Sequence, residues 1–169
     1  VAFHGARFPG PAEGPGYRLR GYFQRARRDQ PGTILDVLDT YDVEFQNEWD
    51  TSRNTFVWGT GYRFQQDRAG SFGPGVALIP GERNLEYANV FAEDVIHVRE
   101  RVDVTAGVRL ERNVYTRWEY LPTLRVALHP AESHVLWLAL SRSVRAPARI
   151  DREAFAPAQP PFSLLAGGP

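Results

Sequence analysis

The sequence predicts an all-β fold, an antiparallel meander of long tilted strands that forms part of a transmembrane β-barrel. Three observations predict it: apolar and polar residues alternate, the strands are long, and short and long connections alternate. The alternation is strictest from Arg101 to Glu111, where even positions are apolar and odd positions are charged, polar or small. Because a strand directs successive side chains to opposite faces, this segment has one apolar and one polar face.

Seven strands of roughly 10–13 residues are predicted from this periodicity and from the breakers between them. They are Tyr17–Arg25, Asp36–Trp49, Asn54–Gln65, Glu86–Val98, Val102–Asn113, Glu119–His129 and His134–Ser143. Strands of soluble domains usually have about five or six residues, whereas tilted strands that cross a bilayer need about 9–11. The last strand is apolar on both faces, so the lipid-facing side of 134–143 is left unassigned.

In the second and third predicted strands, large apolar side chains form one row each. The rows are Val37, Tyr41, Val43, Phe45 and Trp49 in one strand, and Phe56, Trp58, Tyr62 and Phe64 in the other. Aromatic residues also lie near both ends of the predicted strands. Those near the short turns are Trp49, Phe56, Trp58 and Trp137, and those toward the long connections are Tyr62, Phe64, Tyr115, Trp118 and Tyr120. This placement is typical of the aromatic belts at the two membrane interfaces.

The connections are tight at Asp50–Arg53, Arg99–Arg101 and Pro130–Ser133. Longer segments lie between them at Ala26–Leu35 and Gln66–Leu85, and the ends 1–16 and 144–169 are expected to be rich in loops. Outer-membrane barrels combine tight periplasmic turns with extended outer loops in this way. A soluble β-sandwich has no reason to collect its long loops at one end.

Composition excludes several classes of function. The formal net charge is zero, which argues against a nucleic-acid-binding protein. Lysine and cysteine are absent, so a Schiff-base lysine, disulfides and thiolate metal sites are excluded. No apolar run reaches the roughly 18–20 residues of a membrane-spanning helix. The chain begins with Val1 and contains no Met, so we expect an excerpt or a processed product.

No catalytic, cofactor-binding or metal-binding residue is predicted. The four histidines, His4, His97, His129 and His134, are scattered, and the spacing of the last two is not a ligand spacing. The acids Asp36, Asp39 and Asp42 lack the glycine and bidentate glutamate of an EF-hand loop.

Glu44 and Glu48 share a strand face, as paired catalytic carboxylates do, but cross-strand ion pairing with arginines explains them without catalysis. Gly59-Thr60-Gly61 is not followed by a helix and is therefore not a dinucleotide-binding motif. We expect these glycines to face a crowded interior. The chain is expected not to be an enzyme.

Several motifs of the chain resemble the barrel of TonB-dependent outer-membrane receptors. They are Leu38–Gln46 followed by Val57–Arg63, Tyr87–Asp94 followed by Val104–Glu111, Leu121–Arg125 followed by Ser141–Pro147, and the tail Pro161–Pro169. The resemblance covers about Tyr41 to the end of the chain. Its specificity comes from the order and spacing of the motifs together.

The resemblance implies an energised uptake receptor in the outer membrane of a Gram-negative bacterium. Such a receptor has a barrel of about 22 strands around an N-terminal plug. It binds ligands such as ferric siderophores, haem or cobalamin on the outer side, and TonB pulls on a short N-terminal box. Residues 1–169 contain neither plug nor box, so we expect a partial barrel domain, an open curved sheet with two bare edges.

The implied partners are outer-membrane lipid, an extracellular ligand such as a metal chelate, and a plug and TonB bound through parts outside this chain. Arg109, Glu111 and Arg125 are expected to face the lumen, where they pair with one another or with the plug. No ligand-contacting residue is assigned. Two alternatives stay open: a small eight-stranded structural or adhesive outer-membrane barrel, and a soluble β-sandwich binding domain.

Overall fold

The computed structural model describes residues 2–8, 16–31, 34–71, 77–131, 133–157 and 163–166. Its elements are β1 (Ala2–Phe8), β2 (Gly16–Gln30), β3 (Ile34–Asp50), β4 (Asn54–Ser71), β5 (Ala77–Leu78), β6 (Glu82–Arg99), β7 (Val102–Asn113), β8 (Arg117–Ala131), β9 (His134–Ser141), α1 (Arg149–Glu153), β10 (Ala154–Pro157) and β11 (Ser163–Ala166). No helix in these ranges is long and apolar enough to cross a membrane.

Eight strands form one antiparallel sheet in the order β1-β2-β3-β4-β6-β7-β8-β9. Within this sheet, strands that follow one another in the chain are hydrogen-bonded neighbours, and only the two-residue β5, which belongs to the second sheet, intervenes between β4 and β6. The predicted meander is confirmed. Within the described residues, no ladder joins β1 to β9, and the sheet is open. A closed eight-stranded barrel is therefore not observed. A second, smaller sheet has the order β11-β10-β5.

Most of the strands, namely β2, β3, β4, β6 and β8, are longer than predicted at the ends away from the tight turns, whereas β9 ends at Ser141 and not at Ser143. β2 continues to Gln30 and β4 to Ser71, because the ladder between neighbours continues where alternation is lost, as in the pair Gln30↔Ile34. Residues 2–8 were expected to be loop but pair with β2 from Ala2↔Phe23 to Phe8↔Tyr17. The predicted strand Val102–Asn113 has the same bounds in the structure.

The register of the ladders places the apolar rows of all the long strands on one face of the sheet, which we call the apolar face. Examples are the pairs Tyr41↔Phe64, Val90↔Leu110 and Leu110↔Tyr120. The opposite face carries most of the charged side chains and is called the polar face. Since a shift of one residue would exchange the faces of a strand, this register is decisive for the whole sheet.

β9 is assigned to a face by its register, which its own sequence does not reveal. Leu136, Leu138 and Leu140 pair with Leu128, Val126 and Leu124, and so they belong to the apolar face. Trp137 pairs with Ala127 and lies on the polar face, unlike the membrane-interface position expected for it.

On the apolar face, five neighbouring strands each carry a nine-residue apolar span, which we call the apolar belt. The spans are 41–49 in β3, 56–64 in β4, 88–96 in β6, 102–110 in β7 and 120–128 in β8. At about 3.3 Å per residue and a tilt of about 35–45°, nine residues span about 23 Å across a barrel wall. This is close to the apolar band of about 25 Å on membrane barrels.

Polar groups inside the apolar belt make hydrogen bonds. The Asn47 side chain donates to the carbonyl of Gly16 at 3.1 Å and accepts from Trp58 Nε1 at 2.9 Å. Thr60 Oγ1 donates to the Asn89 carbonyl at 2.9 Å. Asp94, at the end of the belt near the tight turns, accepts from Asn54 Nδ2 at 2.9 Å through Oδ2, while its Oδ1 is buried without a hydrogen-bond partner among the described residues. Hydrogen bonds within the protein are needed here because a polar group without a partner is costly in an apolar environment.

No second layer covers the apolar belt in the described part of the chain. Leu124 is 47% exposed and Leu138 is 73% exposed, and the only buried hydrophobic residues there are Leu85 and Ala154. A β-sandwich would bury these rows against a second sheet. The fold therefore does not match the soluble sandwich alternative.

Gly59 lies on the polar face, where the glycine motif was expected to be crowded. A Cβ at this position would lie 2.6 Å from the Phe45 carbonyl oxygen and 2.7 Å from the Phe91 ring. At Gly21 a Cβ would meet only the Asp42 carbonyl oxygen, at 3.6 Å. Space, rather than backbone flexibility, requires glycine at position 59.

We predict that Gly59→Ala lowers the free energy of unfolding by about 1–3 kcal/mol, because β3 and Phe91 must shift to admit the methyl group. Gly21→Ala is the matched control and should change it by less than about 0.5 kcal/mol. Urea unfolding of the detergent-solubilised protein, followed by tryptophan fluorescence, measures both. Equal effects of the two substitutions would contradict the steric explanation.

Candidate functional site: the polar wall and the helix-docking cluster

The polar face of β2–β8, which we call the polar wall, carries cross-strand ion pairs. Arg20 Nη2 lies 2.8 Å from Glu44 Oε2, and Arg63 Nε lies 2.8 Å from Asp42 Oδ2. The expectation that Glu44 pairs across strands is confirmed. Glu48 lies on the same face, opposite Gly16 and Val57, and makes no ion pair with the described residues. Glu44 is thus one half of a cross-strand ion pair rather than of a carboxylate couple with Glu48.

A polar depression of about 210 Å³ lies in this wall, between β3, β4, β6 and β7. Its lining includes Asp42, Arg63, Tyr87, Arg109 and Glu111. The Arg109 guanidinium carbon lies 5.2 Å from the centroid of the Phe91 ring, a cation–π contact. Both signs of charge therefore converge on one concave surface.

The register places Arg109, Glu111 and Arg125 on the polar wall, opposite Phe91, Asn89 and Thr105. Among the residues that the structure describes, none of the three forms an ion pair with another. Their mutual pairing was one of two expectations, and it is not observed. All three side chains extend from the polar face of the sheet.

Two histidines meet one aspartate at the end of the polar wall that carries the tight turns. His97 Nδ1 lies 2.7 Å from Asp103 Oδ1, and His129 Nε2 lies 3.2 Å from Asp103 Oδ2. Sequence reasoning compared His129 with His134, whose Nδ1 instead lies 2.9 Å from Ser133 Oγ. The signal that it missed is the register across the Arg99–Arg101 turn, which sets His97 opposite Asp103.

In the described ranges, no three His, Cys, Asp or Glu residues are placed to hold a metal ion. The acids Asp36, Asp39 and Asp42 are divided between the two faces by the register. Asp39 lies on the apolar-face side, beyond the belt, and is 1% exposed. Its oxygens accept from Arg25 at 2.6 and 2.8 Å, and this hydrogen bonding holds the pKa of Asp39 below its usual value.

A second charged group, the helix-docking cluster, lies on the polar face at the end with the long connections. Its members are Asp67, Arg83, Tyr115, Arg149 and Glu153. Arg149 lies 2.9 Å from Asp67 and 2.7 Å from Glu153, and Arg83 lies 2.5 Å from Glu153. The Tyr115 hydroxyl donates to Glu153 at 3.4 Å, and the Arg83 guanidinium carbon lies 5.5 Å from the centroid of its ring.

The charges of this cluster are largely removed from solvent. Arg149 is 6% and Glu153 is 7% exposed. Burial raises the pKa of the Asp67 carboxyl, and the nearby Asp36 adds to the shift. Burial and the charge of Glu153 raise the pKa of Tyr115 to about 12, so its hydroxyl stays protonated. These interactions hold α1 against β4 and β6, although it follows β9 in the chain.

Residues 144–169 were expected to be irregular loop, and the helix-docking cluster was not predicted. The local signal was Arg149 and Glu153, four residues apart, a spacing at which oppositely charged side chains meet on a helix. The partners on β4 and β6 lie far away in the sequence. The ion pairs of the helix-docking cluster hold α1 over the polar wall at the end with the long connections.

We predict that Glu153→Gln releases α1 from the sheet, because it leaves Arg149 and Arg83 without their shared carboxylate. Removing one partner of a buried ion pair costs about 3–5 kcal/mol. Arg145→Gln is the control, since Arg145 is 84% exposed and its pair with Asp151 is worth at most about 1 kcal/mol.

Amide hydrogen exchange of residues 149–157 measures the release. Faster exchange in Glu153→Gln, with unchanged exchange in β7, is the expected result. Equal protection of this segment in Glu153→Gln and Arg145→Gln would show that the cluster does not hold the helix.

Comparison with known proteins agrees with the geometry. A solved siderophore receptor, PirA from Pseudomonas aeruginosa, superposes with a TM-score of 0.68 at 16% sequence identity, over 86% of this chain and 28% of that receptor. The chain thus spans little more than a quarter of that receptor's length, and at this identity the likeness concerns the fold. No curated protein matches the chain. The family model for the TonB dependent receptor-like β-barrel matches residues 4–167, and the chain belongs to this family of receptor barrels.

Proposed function

We propose that this chain is a section of the barrel wall of an energised receptor in the outer membrane of a Gram-negative bacterium. The receptor takes up a scarce ligand, such as a ferric siderophore or another iron complex. The chain contributes structure and a lumen surface, and it carries out no chemistry.

The observation that carries this proposal is the apolar belt on five strands in register. Its span is about the thickness that lipid-facing bands of outer-membrane barrels have. The opposite face is polar and contains the depression lined by Asp42, Arg63 and Glu111, as suits the interior of such a barrel. Family membership adds the expectation of a transporter rather than a structural protein.

The open edges at β1 and β9 support a place within a larger barrel. Among the described residues, no strand pairs with the outer edge of β1 or of β9, and other strands of the same barrel would satisfy the backbone groups there. Arg109, Glu111 and Arg125 are suited to polar contacts with a plug domain inside the barrel. The plug and TonB would be bound through parts of the receptor outside this chain.

An iron complex is the favoured ligand because the similar solved structure is a siderophore receptor. A polar wall with both signs of charge is compatible with a hydrophilic chelate. The tight-turn end would face the periplasm, and the helix-docking cluster would lie on the outer side, where ligands arrive.

Uptake of a labelled ferric siderophore by cells that produce the full-length receptor tests this function. We expect iron-limited cells to accumulate the label, and a protonophore or loss of TonB to stop accumulation. Uptake that persists without the proton gradient would indicate a passive pore, and binding without any uptake would contradict a transporter.

A further prediction concerns lipid contact. Val108→Arg places a charge in the apolar belt between Ala92 and Pro122 and should lower the free energy of unfolding from lipid vesicles by about 2–4 kcal/mol. Val57→Arg makes the same change on the polar wall, between Glu48 and Glu93, and should be tolerated. Urea titration of the reconstituted receptor distinguishes the two; similar costs would refute a lipid-facing belt.

A further inference from the structure

We propose that Arg112 and Arg117 form a binding site for the phosphate of an anionic lipid head group in the outer leaflet. The inference rests on the proposed membrane location. It concerns the outside of the barrel wall and is separate from uptake through the lumen.

A groove of about 300 Å³ lies at the long-connection end of the apolar belt, between β4, β6 and β7. Its lining includes Arg112, Arg117, Tyr62, Ala88 and Val114. Tyr62, Ala88 and Arg112 form one cross-strand row of the apolar face. The groove therefore opens on the side of the sheet that carries the belt.

The height of Arg112 suits a head group. It lies two residues beyond Leu110, the last member of the belt on β7, and its cross-strand neighbour is Trp118. Two residues of a tilted strand rise about 5 Å. The head-group layer on each side of the hydrocarbon is about 5–7 Å thick. A guanidinium at this level meets phosphates without entering the hydrocarbon.

The two arginines lack the carboxylate partner that other arginines of this face have. Arg25 and Arg68, which also lie beyond the belt, both contact Asp39. Arg112 and Arg117 form no ion pair with any residue that the structure describes. Asn84 and Glu86 also line the groove, and Glu86 pairs with neither arginine. The two positive charges outnumber the single negative one.

The backbone of Arg117 is held in the left-handed region, with a φ of 67°. This conformation is uncommon for a residue with a long side chain and costs free energy. At this position it accompanies a side chain that lines the groove, although the ladder pairs Arg117 with Asn113 on the polar face. Glycine would be the favourable residue here if only the turn mattered.

The chemistry of the groove matches a lipid phosphate. Guanidinium groups donate paired hydrogen bonds that fit phosphate oxygens. Trp118 and Tyr120, exposed at 67% and 55%, are the aromatic residues that favour the membrane interface. A lipid whose phosphate is bound by Arg112 and Arg117 would lay its acyl chains along the apolar belt. A free phosphate has no acyl chains and would lack this contact.

The test is native mass spectrometry of the full-length receptor in non-ionic detergent, titrated with phosphatidylglycerol, phosphatidylcholine or inorganic phosphate. We expect tighter retention of phosphatidylglycerol than of the other two. Arg112→Gln and Arg117→Gly should each weaken that retention about tenfold, the scale of a charge-assisted hydrogen bond. Arg117→Gly also relieves the left-handed backbone, so it should fold at least as well as the wild type.

Arg68→Gln is the matched control, because it removes a charge from the same face while Arg25 still pairs with Asp39, and it should change retention by less than about twofold. Unchanged binding in Arg112→Gln and Arg117→Gly would overturn the proposal, as would an equal loss in Arg68→Gln. Equally tight binding of inorganic phosphate would also overturn it. A heat-modifiable gel shift in each variant shows that the barrel is intact. Its absence in the wild type would refute the proposed function as well.

Discussion

The antiparallel hydrogen-bond ladder from β1 to β9, whose register shifts only beside two of the tight turns, is the constraint on which the rest of this structure depends. In hydrocarbon, a backbone N–H or C=O without a partner costs several kcal/mol, so strands can cross a membrane only when neighbours pair completely. The same ladder decides which side chains share a face. A slip of one residue in β7 would exchange Val108 with Arg109 and put charge where the belt now lies.

The ladder also explains why the two ends of the sheet differ. At one end the tight turns keep neighbouring strands together, and side chains of adjacent strands make short contacts there, such as His97 with Asp103. At the other end β3 and β4 continue beyond the apolar belt: β4 carries polar or small residues on both faces there, and β3 mixes Asp36, Asp39 and Thr40 with Leu35, Val37 and Leu38. Ion pairs replace apolar contacts there: Arg25 with Asp39 on one face, and Arg149 with Asp67 on the other. Charged side chains and their ion pairs therefore concentrate in the parts of β3 and β4 beyond the belt.

Sequence reasoning predicted most of the sheet, because alternation reports directly which face a side chain occupies. The rows of β3, β4 and β7 were assigned to the correct faces. It did not assign the faces of β9, whose residues are apolar on both sides and whose orientation comes from pairing with β8. It also missed the strand extensions, since polar residues on both faces leave no alternation to detect.

The sites were less predictable than the fold for a related reason. The helix-docking cluster unites side chains from β4, β6 and α1, and the groove at Arg112 combines residues of three strands and a turn. The register brings the strand residues together, and the docking of α1 adds Arg149 and Glu153 to the cluster. No local motif encodes either arrangement. His97 and Asp103 pair across a single tight turn. A contact of this kind can be predicted from the sequence once the position of the turn is known.

The most direct test of this account is a nitroxide scan of residues 102–111 in the full-length receptor reconstituted into lipid vesicles. The segment studied contains no cysteine, so single cysteines can be labelled there one at a time. Oxygen, which dissolves in hydrocarbon, should relax labels at even positions, and a water-soluble nickel complex should relax labels at odd positions. Equal accessibility of both faces to the nickel complex would contradict the membrane-wall account.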